Sequence, residues 1–149
     1  MANDRGGARA RQRARELLVK ALYQWQLAGH DAPELEKQFR ALPEFERCDA
    51  DYFRALLSTV IADAPALDQA IAKHAARGLD QLDAVGRAIL LLAITELKHR
   101  GDVPTKVVIN EAVELAKRYG AADSFKFVNA LLDKTARELD RPAPAATPR

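Results

Sequence analysis

Four arginines occupy alternate positions near the start of the sequence, at Arg9, Arg11, Arg13 and Arg15. A guanidinium group donates paired hydrogen bonds to a phosphate and also stacks on a nucleobase, so arginine suits single-stranded RNA better than lysine does. On a helix Arg11 and Arg15 share one face, and Arg9 and Arg13 share another, because residues four apart are neighbours. The pattern therefore predicts a polyanion-binding segment, with a solvated run of charge as the alternative.

The positive charge of the whole sequence is concentrated at this same end. Residues 1–20 carry six basic and two acidic side chains, whereas the other 129 residues carry seventeen basic and nineteen acidic ones. The formal net charge of +2 therefore comes entirely from the first twenty residues. Charge separated in this way is typical of an arm that binds nucleic acid. A solubilising extension would have the same composition.

Outside the arginine segment, the sequence has no recognisable group of residues with the spacing that catalysis or metal binding requires. The single cysteine and the three histidines lie far apart, without the spacing of a zinc site. The sequence has no phosphate-binding glycine loop, no dinucleotide-binding turn and no nucleophile elbow. We therefore expect a binding protein, with no catalytic residues, no metal and no cofactor.

The composition also indicates where the protein works. One unpaired thiol, that of Cys48, fits a reducing compartment. The polar, arginine-rich N-terminus lacks the apolar segment of a secretory signal. The longest apolar run, residues 88–94, is far shorter than the roughly 20 residues that cross a membrane. These features predict a cytoplasmic protein with no membrane partner.

The elements that must position the arginines are predicted to be helices. Apolar residues recur at helical spacing from residue 9 to residue 139, and no segment alternates as a strand does. Glycines and prolines divide this stretch into seven predicted helices: about 8–28, Pro33 to before Pro43, 49–62, Pro65 to Gly78, Leu82 to Gly101, Pro104 to Gly120, and one beginning at Asp123 or Ser124. The sequence therefore predicts an all-α fold, a compact bundle of about seven helices.

The fifth predicted helix is apolar on nearly every face, and such a helix belongs at the centre of a bundle. We expect Ile89 and Leu92 to be buried there. The bundle should occupy residues 9–140, after a flexible arm at 1–8. A disordered tail is predicted at 141–149, because this segment contains three prolines among small residues.

Four segments of the sequence, in order and with matching spacing, resemble segments of the NusB family. They are the opening helix at Arg11–Gln26, a short stretch at Asp51–Arg54, the sixth predicted helix at Val103–Lys117 and the last helix at Lys126–Lys134. Together they extend over most of the chain. The resemblance implies an all-helical fold of two packed subbundles, three helices followed by four.

The resemblance also implies a function. Members of the family bind the boxA element of nascent RNA as a heterodimer with the ribosomal protein NusE. That complex joins RNA polymerase and other Nus factors in transcription antitermination, notably on ribosomal RNA operons. Some members form homodimers, so a homodimer is a second expected state. Two other functions stay open: the accessory domain of an RNA methyltransferase, and a helical scaffold whose arginine segment contacts an acidic protein.

The matching positions imply the residues that contact each partner. The RNA-binding candidates are Arg9, Arg11, Arg13, Arg15, Tyr23, Asp123, Lys126 and Phe127. The NusE-binding candidates are Tyr23, Leu79, Asp80, Asp83, Gly86 and Arg87. For Tyr23 and Phe127 the alternative is an aromatic side chain in the core. Asp123 would serve equally well as a helix N-cap.

The sequence departs from the family pattern at three positions. Gln12 interrupts a run of arginines, Gly86 stands where an acidic residue is frequent, and Leu91 stands where arginine is common. The acid that relatives present to NusE is therefore missing at position 86. Asp80 and Asp83 are the nearby acids that we expect to compensate.

Overall fold

The structure, a computed structural model, describes residues 3–75 and 79–141 of the chain. Within these residues it contains α-helices and 3-10 turns but no β-strand. The six α-helices are α1 (Asn3–Ala28), α2 (Ala32–Arg40), α3 (Ala50–His74), α4 (Ala84–His99), α5 (Thr105–Tyr119) and α6 (Ser124–Glu138), and the 3-10 turns are Pro43–Arg47 and Leu79–Gln81. The predicted all-α fold is confirmed, with six helices in place of seven.

The missing helix boundary is at Pro65, where the sequence predicts that one helix ends and another begins. In the structure α3 continues through Pro65. A proline inside a helix leaves one carbonyl without its hydrogen bond and costs about 3 kcal/mol. The helix is apolar on both sides of it, and Val60 and Leu67 are fully buried. Each such side chain contributes about 1.5–3 kcal/mol of burial, so the continuous helix is favoured.

The same helix has the length and mean hydropathy of a membrane-crossing segment, and it is the one such helix in the part of the chain that the structure describes. Its large apolar side chains are packed inside the protein, as Phe53, Leu57, Val60, Leu67 and Ile71 are all buried. The high mean hydropathy of α3 is therefore that of a helix whose apolar side chains form part of the protein core.

The chain divides between Ala62 and Asp63, within α3, into two compact units. The N-terminal unit contains α1, α2, the first 3-10 turn and the first half of α3. The C-terminal unit contains the second half of α3 with α4, α5 and α6. Because α3 contributes to both units, this division corresponds to the expected three helices followed by four.

Phe53 is at the centre of the N-terminal unit. Its ring is fully buried, stacks on Phe39 of α2 at 5.8 Å between centroids, and meets Phe45 of the 3-10 turn edge-on at 5.3 Å. Gly29 ends α1 as predicted, with a left-handed φ of 73° that favours glycine. The start of α2 is a capping box that the sequence analysis missed, in which Asp31 accepts a hydrogen bond from the Glu34 amide at 3.0 Å.

Helix α4 is the core of the C-terminal unit. Every residue from Ala88 to Leu97 is buried, and the predicted burial of Ile89 and Leu92 is confirmed. Carbonyl groups near its C-terminal end accept hydrogen bonds from the Arg141 guanidinium, at 2.9 Å for Leu97 and 2.6 Å for Arg100. Arg141 therefore belongs to this unit and not to a disordered tail. The rest of that predicted tail, 142–149, lies outside the described residues.

The beginning of the chain also differs from the prediction. The structure extends α1 to Asn3, into the segment 1–8 that the sequence predicts as a flexible arm. Residues 9–15, which carry the four arginines, therefore lie two to four turns inside a helix and not at its start. Their backbone is fixed, so their side chains project from a rigid element at set angles.

Candidate nucleic-acid interface

The four arginines at residues 9–15 of α1 divide into two pairs with different surroundings. The guanidinium carbon of Arg11 lies 4.4 Å from the centroid of the Tyr52 ring, and that of Arg15 lies 5.6 Å from it. A cation over an aromatic face at these distances is a favourable cation–π contact. Arg15 is also buried, with 3% of its surface exposed. These two arginines hold α1 against the first turn of α3.

Asp49 completes this contact through three groups. Its amide donates a hydrogen bond to the Ala10 carbonyl of α1 at 3.0 Å, and its Oδ1 accepts one from the Tyr52 amide at 3.1 Å. Its Oδ2 lies 3.7 Å from Nε of Arg11. Asp49 thus caps α3 and links it to α1 at once. We call Arg11, Arg15, Asp49 and Tyr52 the tyrosine cluster.

The other pair, Arg9 and Arg13, points to a different part of the N-terminal unit. Both line an open cleft of about 550 Å³ between α1 and the first 3-10 turn. We call it the arginine cleft; its lining residues are Arg9, Gln12, Arg13, Glu16, Pro43, Glu44 and Arg47. Arg9 is exposed and Arg13 is half-buried. The cleft therefore presents three guanidinium groups and two carboxylates to solvent.

Tyr23 lies two turns beyond Arg15 on α1 and keeps 41% of its surface exposed. It is therefore not the core aromatic that was its alternative interpretation. Leu27, one turn further along the helix, is also exposed. The pair forms a small apolar surface next to the C-terminal end of α1, which is compatible with either predicted partner.

A second cleft lies inside the C-terminal unit, with a volume of about 280 Å³. It contains residues from both predicted interfaces, Asp83 and Gly86 of the NusE set with Asp123 and Phe127 of the RNA set. We call it the α4–α6 cleft; its other lining residues are Leu82, Ala121, Ala122, Ser124 and Val128. Phe127 is half-buried there, so part of its ring is accessible and part is in the core.

Asp123 precedes α6 but does not cap it through its side chain. Its backbone is left-handed, with φ of 64°, and its carboxylate accepts no capping hydrogen bond. The carboxylate lies 3.9 Å from Nζ of Lys126, and both side chains are more than two-thirds exposed. An exposed pair of this kind contributes little to stability. The expectation that Asp123 is a good side-chain N-cap is therefore wrong, and its carboxylate faces solvent.

An aromatic residue that was not among the predicted contacts, Phe125, lies beside this pair. The Phe125 ring centroid is 5.1 Å from Nζ of Lys117 and 6.0 Å from Nζ of Lys126. Two lysines near one ring make a positive surface at the start of α6. The signal was present in the sequence, because Phe125 and Phe127 are two apart and cannot both face the core of one helix.

The predicted NusE-binding residues have different exposures. Leu79 has 44% of its surface exposed and Asp80 is exposed, both in the second 3-10 turn. Asp83 caps α4, as its Oδ1 accepts a hydrogen bond from the Gly86 amide at 2.8 Å. A β-carbon at Gly86 would lie 2.8 Å from Cδ1 of Leu82, so an acidic side chain there would require Leu82 to shift.

Arg87 forms a two-point ion pair with Asp68 of α3, with Nε to Oδ1 at 2.9 Å and Nη2 to Oδ2 at 2.6 Å. Hydrogen bonding to Asp68 raises the pKa of the Arg87 guanidinium, which stays charged. Its side chain is part of the C-terminal unit, and a partner would meet it as one half of a neutral pair. Among the described residues, no His, Cys, Asp and Glu side chains cluster in a way that could hold a metal ion.

These features define a class: an all-helical protein in which charged and aromatic side chains, set on rigid helices, line two open clefts. The NusB family model matches residues 12–137. The chain is 48% identical over 130 residues to the transcription antitermination protein NusB of Alcanivorax borkumensis, covering 87% of each. It is 52% identical over 127 residues to that of Yersinia enterocolitica, covering 85% of this chain and 92% of the relative.

A solved structure gives the same result. The fold is similar to that of T. maritima NusB, with a TM-score of 0.74 and 34% sequence identity, covering 85% of this chain and 90% of that one. The chain belongs to the NusB family.

The division of the arginines predicts different stability effects for two otherwise similar substitutions. Arg15→Ala removes a buried guanidinium from the Tyr52 ring and should lower the free energy of unfolding by about 1–3 kcal/mol. Arg9→Ala, on the same helix but exposed, should change it by less than about 0.5 kcal/mol. Urea denaturation of the two variants measures both values. Equal effects would contradict the division.

Proposed function

We propose that this protein is a transcription antitermination factor that binds boxA RNA together with the ribosomal protein NusE and supports processive transcription of ribosomal RNA operons. The relatives named above are transcription antitermination proteins, and the family resemblance supplies the two partners. The observation that carries the RNA-binding part is the pair Arg9 and Arg13 on the open side of α1. Arginines on a rigid helix suit the backbone and bases of single-stranded RNA.

The four arginines make unequal contributions in this proposal. Arg9 and Arg13 are the principal phosphate contacts. Arg11 has a side chain 31% exposed and already engaged with Asp49 and Tyr52, so in this proposal its contact with RNA is weaker. Arg15 is buried, and its contribution is to position α1. Of the four arginines expected to bind RNA, two are thus the principal contacts and a third contributes a weaker one.

The C-terminal unit supplies the other proposed RNA contacts. Lys126 is 71% exposed and can meet a phosphate, and Asp123 beside it can accept a hydrogen bond from a base. The accessible part of the Phe127 ring can stack on a base, an interaction worth about 1–3 kcal/mol. These contacts would add preference for particular bases to the phosphate contacts of α1.

The proposed NusE surface includes Tyr23, Leu79, Asp80, Asp83, Gly86 and Arg87. Leu79 and Tyr23 offer exposed apolar area, which commonly anchors a protein interface. Asp80 has no capping role and is exposed, so it is better placed than Asp83 to replace the acid missing at Gly86. Arg87, held by Asp68, would meet the partner as one half of that ion pair.

The remaining parts of the proposal follow from the family. The protein would act in the cytoplasm, in the antitermination complex of RNA polymerase with other Nus factors, by binding and without catalysis. A homodimer that covers the RNA surface is a second proposed state. The two alternative functions, a methyltransferase accessory domain and a protein-binding scaffold, would not require that boxA RNA binding depend on Arg9 and Arg13.

The RNA-binding role predicts a change in salt dependence. Arg9→Ala/Arg13→Ala should weaken binding of a boxA oligonucleotide and make the log–log salt slope shallower by about 1.4, because each phosphate contact on a single strand contributes about 0.7. Fluorescence anisotropy across a salt series, with and without NusE, measures this. The control is Arg54→Ala, an exposed arginine of the same unit outside the arginine cleft. A double variant that behaves as this control does would contradict the proposal.

The NusE-binding role predicts that Asp80→Ala weakens the heterodimer roughly two- to fivefold, the size of an exposed ion pair. Asp83→Asn removes the second charge but keeps a side chain that caps α4. If Asp83 also compensates for Gly86, this variant weakens NusE binding without loss of stability. Isothermal titration calorimetry with purified NusE measures both variants. Wild-type affinity in both would rule out compensation by either acid.

A further inference from the structure

We propose that Arg47 is a further RNA-binding residue, outside the arginine segment of α1, and that a phosphate of the bound strand lies in the arginine cleft between Arg13 and Arg47. This inference rests on the proposed function and extends it. The RNA backbone would leave α1 by crossing the first 3-10 turn. Nothing in the sequence near Arg47 marks it, because two acidic residues, Glu44 and Glu46, come directly before it.

The turn that carries Arg47 is rigid. Phe45 is buried in its middle, edge-on to Phe53, and the Arg40 guanidinium lies 5.2 Å from the Phe45 ring centroid. The Cys48 amide closes the turn by donating a hydrogen bond to the Phe45 carbonyl at 3.1 Å. Arg47 itself is exposed. It therefore projects from a fixed base into the same cleft as Arg9 and Arg13, and its position requires no ordering of a loop on binding.

The charges of the cleft favour an anion. Arg9, Arg13 and Arg47 face Glu16 and Glu44 across it, a formal excess of one positive charge. Among the described residues, no hydrogen bond or ion pair occupies the side chains of these three arginines. Three arginine side chains line the cleft, and a phosphate bound there would receive charge-assisted hydrogen bonds from them.

The lining distinguishes RNA from a protein partner. Six of the seven lining residues carry a charge or an amide, and Pro43 is the one apolar residue among them. Protein interfaces are anchored by buried aromatic and apolar side chains, whereas nucleic-acid interfaces are polar and positively charged. The volume, about 550 Å³, falls within the roughly 300–1,000 Å³ of typical ligand sites. A ribose–phosphate segment of single-stranded RNA fits these features.

Substitutions of a basic and of an acidic residue of the cleft test the proposal, with boxA RNA as the probe. Arg47→Ala should weaken RNA binding about threefold or more at low salt and make the salt slope shallower by about 0.7, the value for one contact. Arg47→Lys should recover most of the slope. Glu44→Gln, which removes an acid from the same cleft, should strengthen binding. Arg54→Ala is again the control for loss of one positive charge from the unit, and circular dichroism confirms folding of each variant.

The outcomes separate this inference from the function on which it rests. If Arg9→Ala/Arg13→Ala weakens RNA binding but Arg47→Ala matches Arg54→Ala, the inference is wrong and the proposed function stands. If Arg47→Ala weakens NusE binding and leaves RNA binding unchanged, the cleft is a protein contact and the inference is also wrong. If the wild-type protein binds no boxA RNA with or without NusE, both fail.

Discussion

The contact of Arg11 and Arg15 with Tyr52, closed by Asp49, determines how the positive segment of this chain can be used. A helix carrying four arginines in seven residues would gain little from packing and would repel itself if all four faced the same way. Here two guanidinium groups are placed near an aromatic ring, and one of them also lies beside a carboxylate that offsets its charge. The other two arginines, each two positions before one of this pair, are thereby directed to the arginine cleft. Attachment of α1 and the proposed binding of RNA thus use the same residue type on opposite faces of one helix.

In the C-terminal unit the main constraint is the burial of α4, in which every residue from Ala88 to Leu97 is buried. A helix whose middle is buried must still satisfy the carbonyl groups of its last turn. Arg141 does so from beyond α6, donating hydrogen bonds to several carbonyl groups around the end of α4. The other end is capped by Asp83. With both ends fixed, the segments before α4 and before α6 that line the α4–α6 cleft are anchored to a rigid core.

The sequence was sufficient for the parts of this account that depend on periodicity and on local signals. The end of α1 at Gly29 follows from a local signal, and the apolar faces of α4 and α6 follow from helical spacing. The helix boundary predicted at Pro65 was wrong. The cost of a proline inside α3 is overcome by burial of the apolar side chains on both sides of it, and this burial cannot be read from the local sequence. The separation of Arg9 and Arg13 from Arg11 and Arg15 was visible as two faces, but which face is buried depends on Tyr52, nearly forty residues away. Arg47 became a candidate only when tertiary structure placed it beside the arginines of α1.

The central claim is that the arginines of α1 have two roles, and arginine footprinting tests it most directly. A dicarbonyl reagent modifies accessible guanidinium groups, and mass spectrometry reports the rate at each residue, with and without saturating boxA RNA and NusE. The account predicts that Arg9 and Arg13 react readily in the free protein and are protected by RNA, that Arg15 reacts slowly in both states, and that Arg54 is unaffected. Fast modification of Arg15 in the folded protein, or no protection of Arg9 and Arg13 by bound RNA, would contradict it.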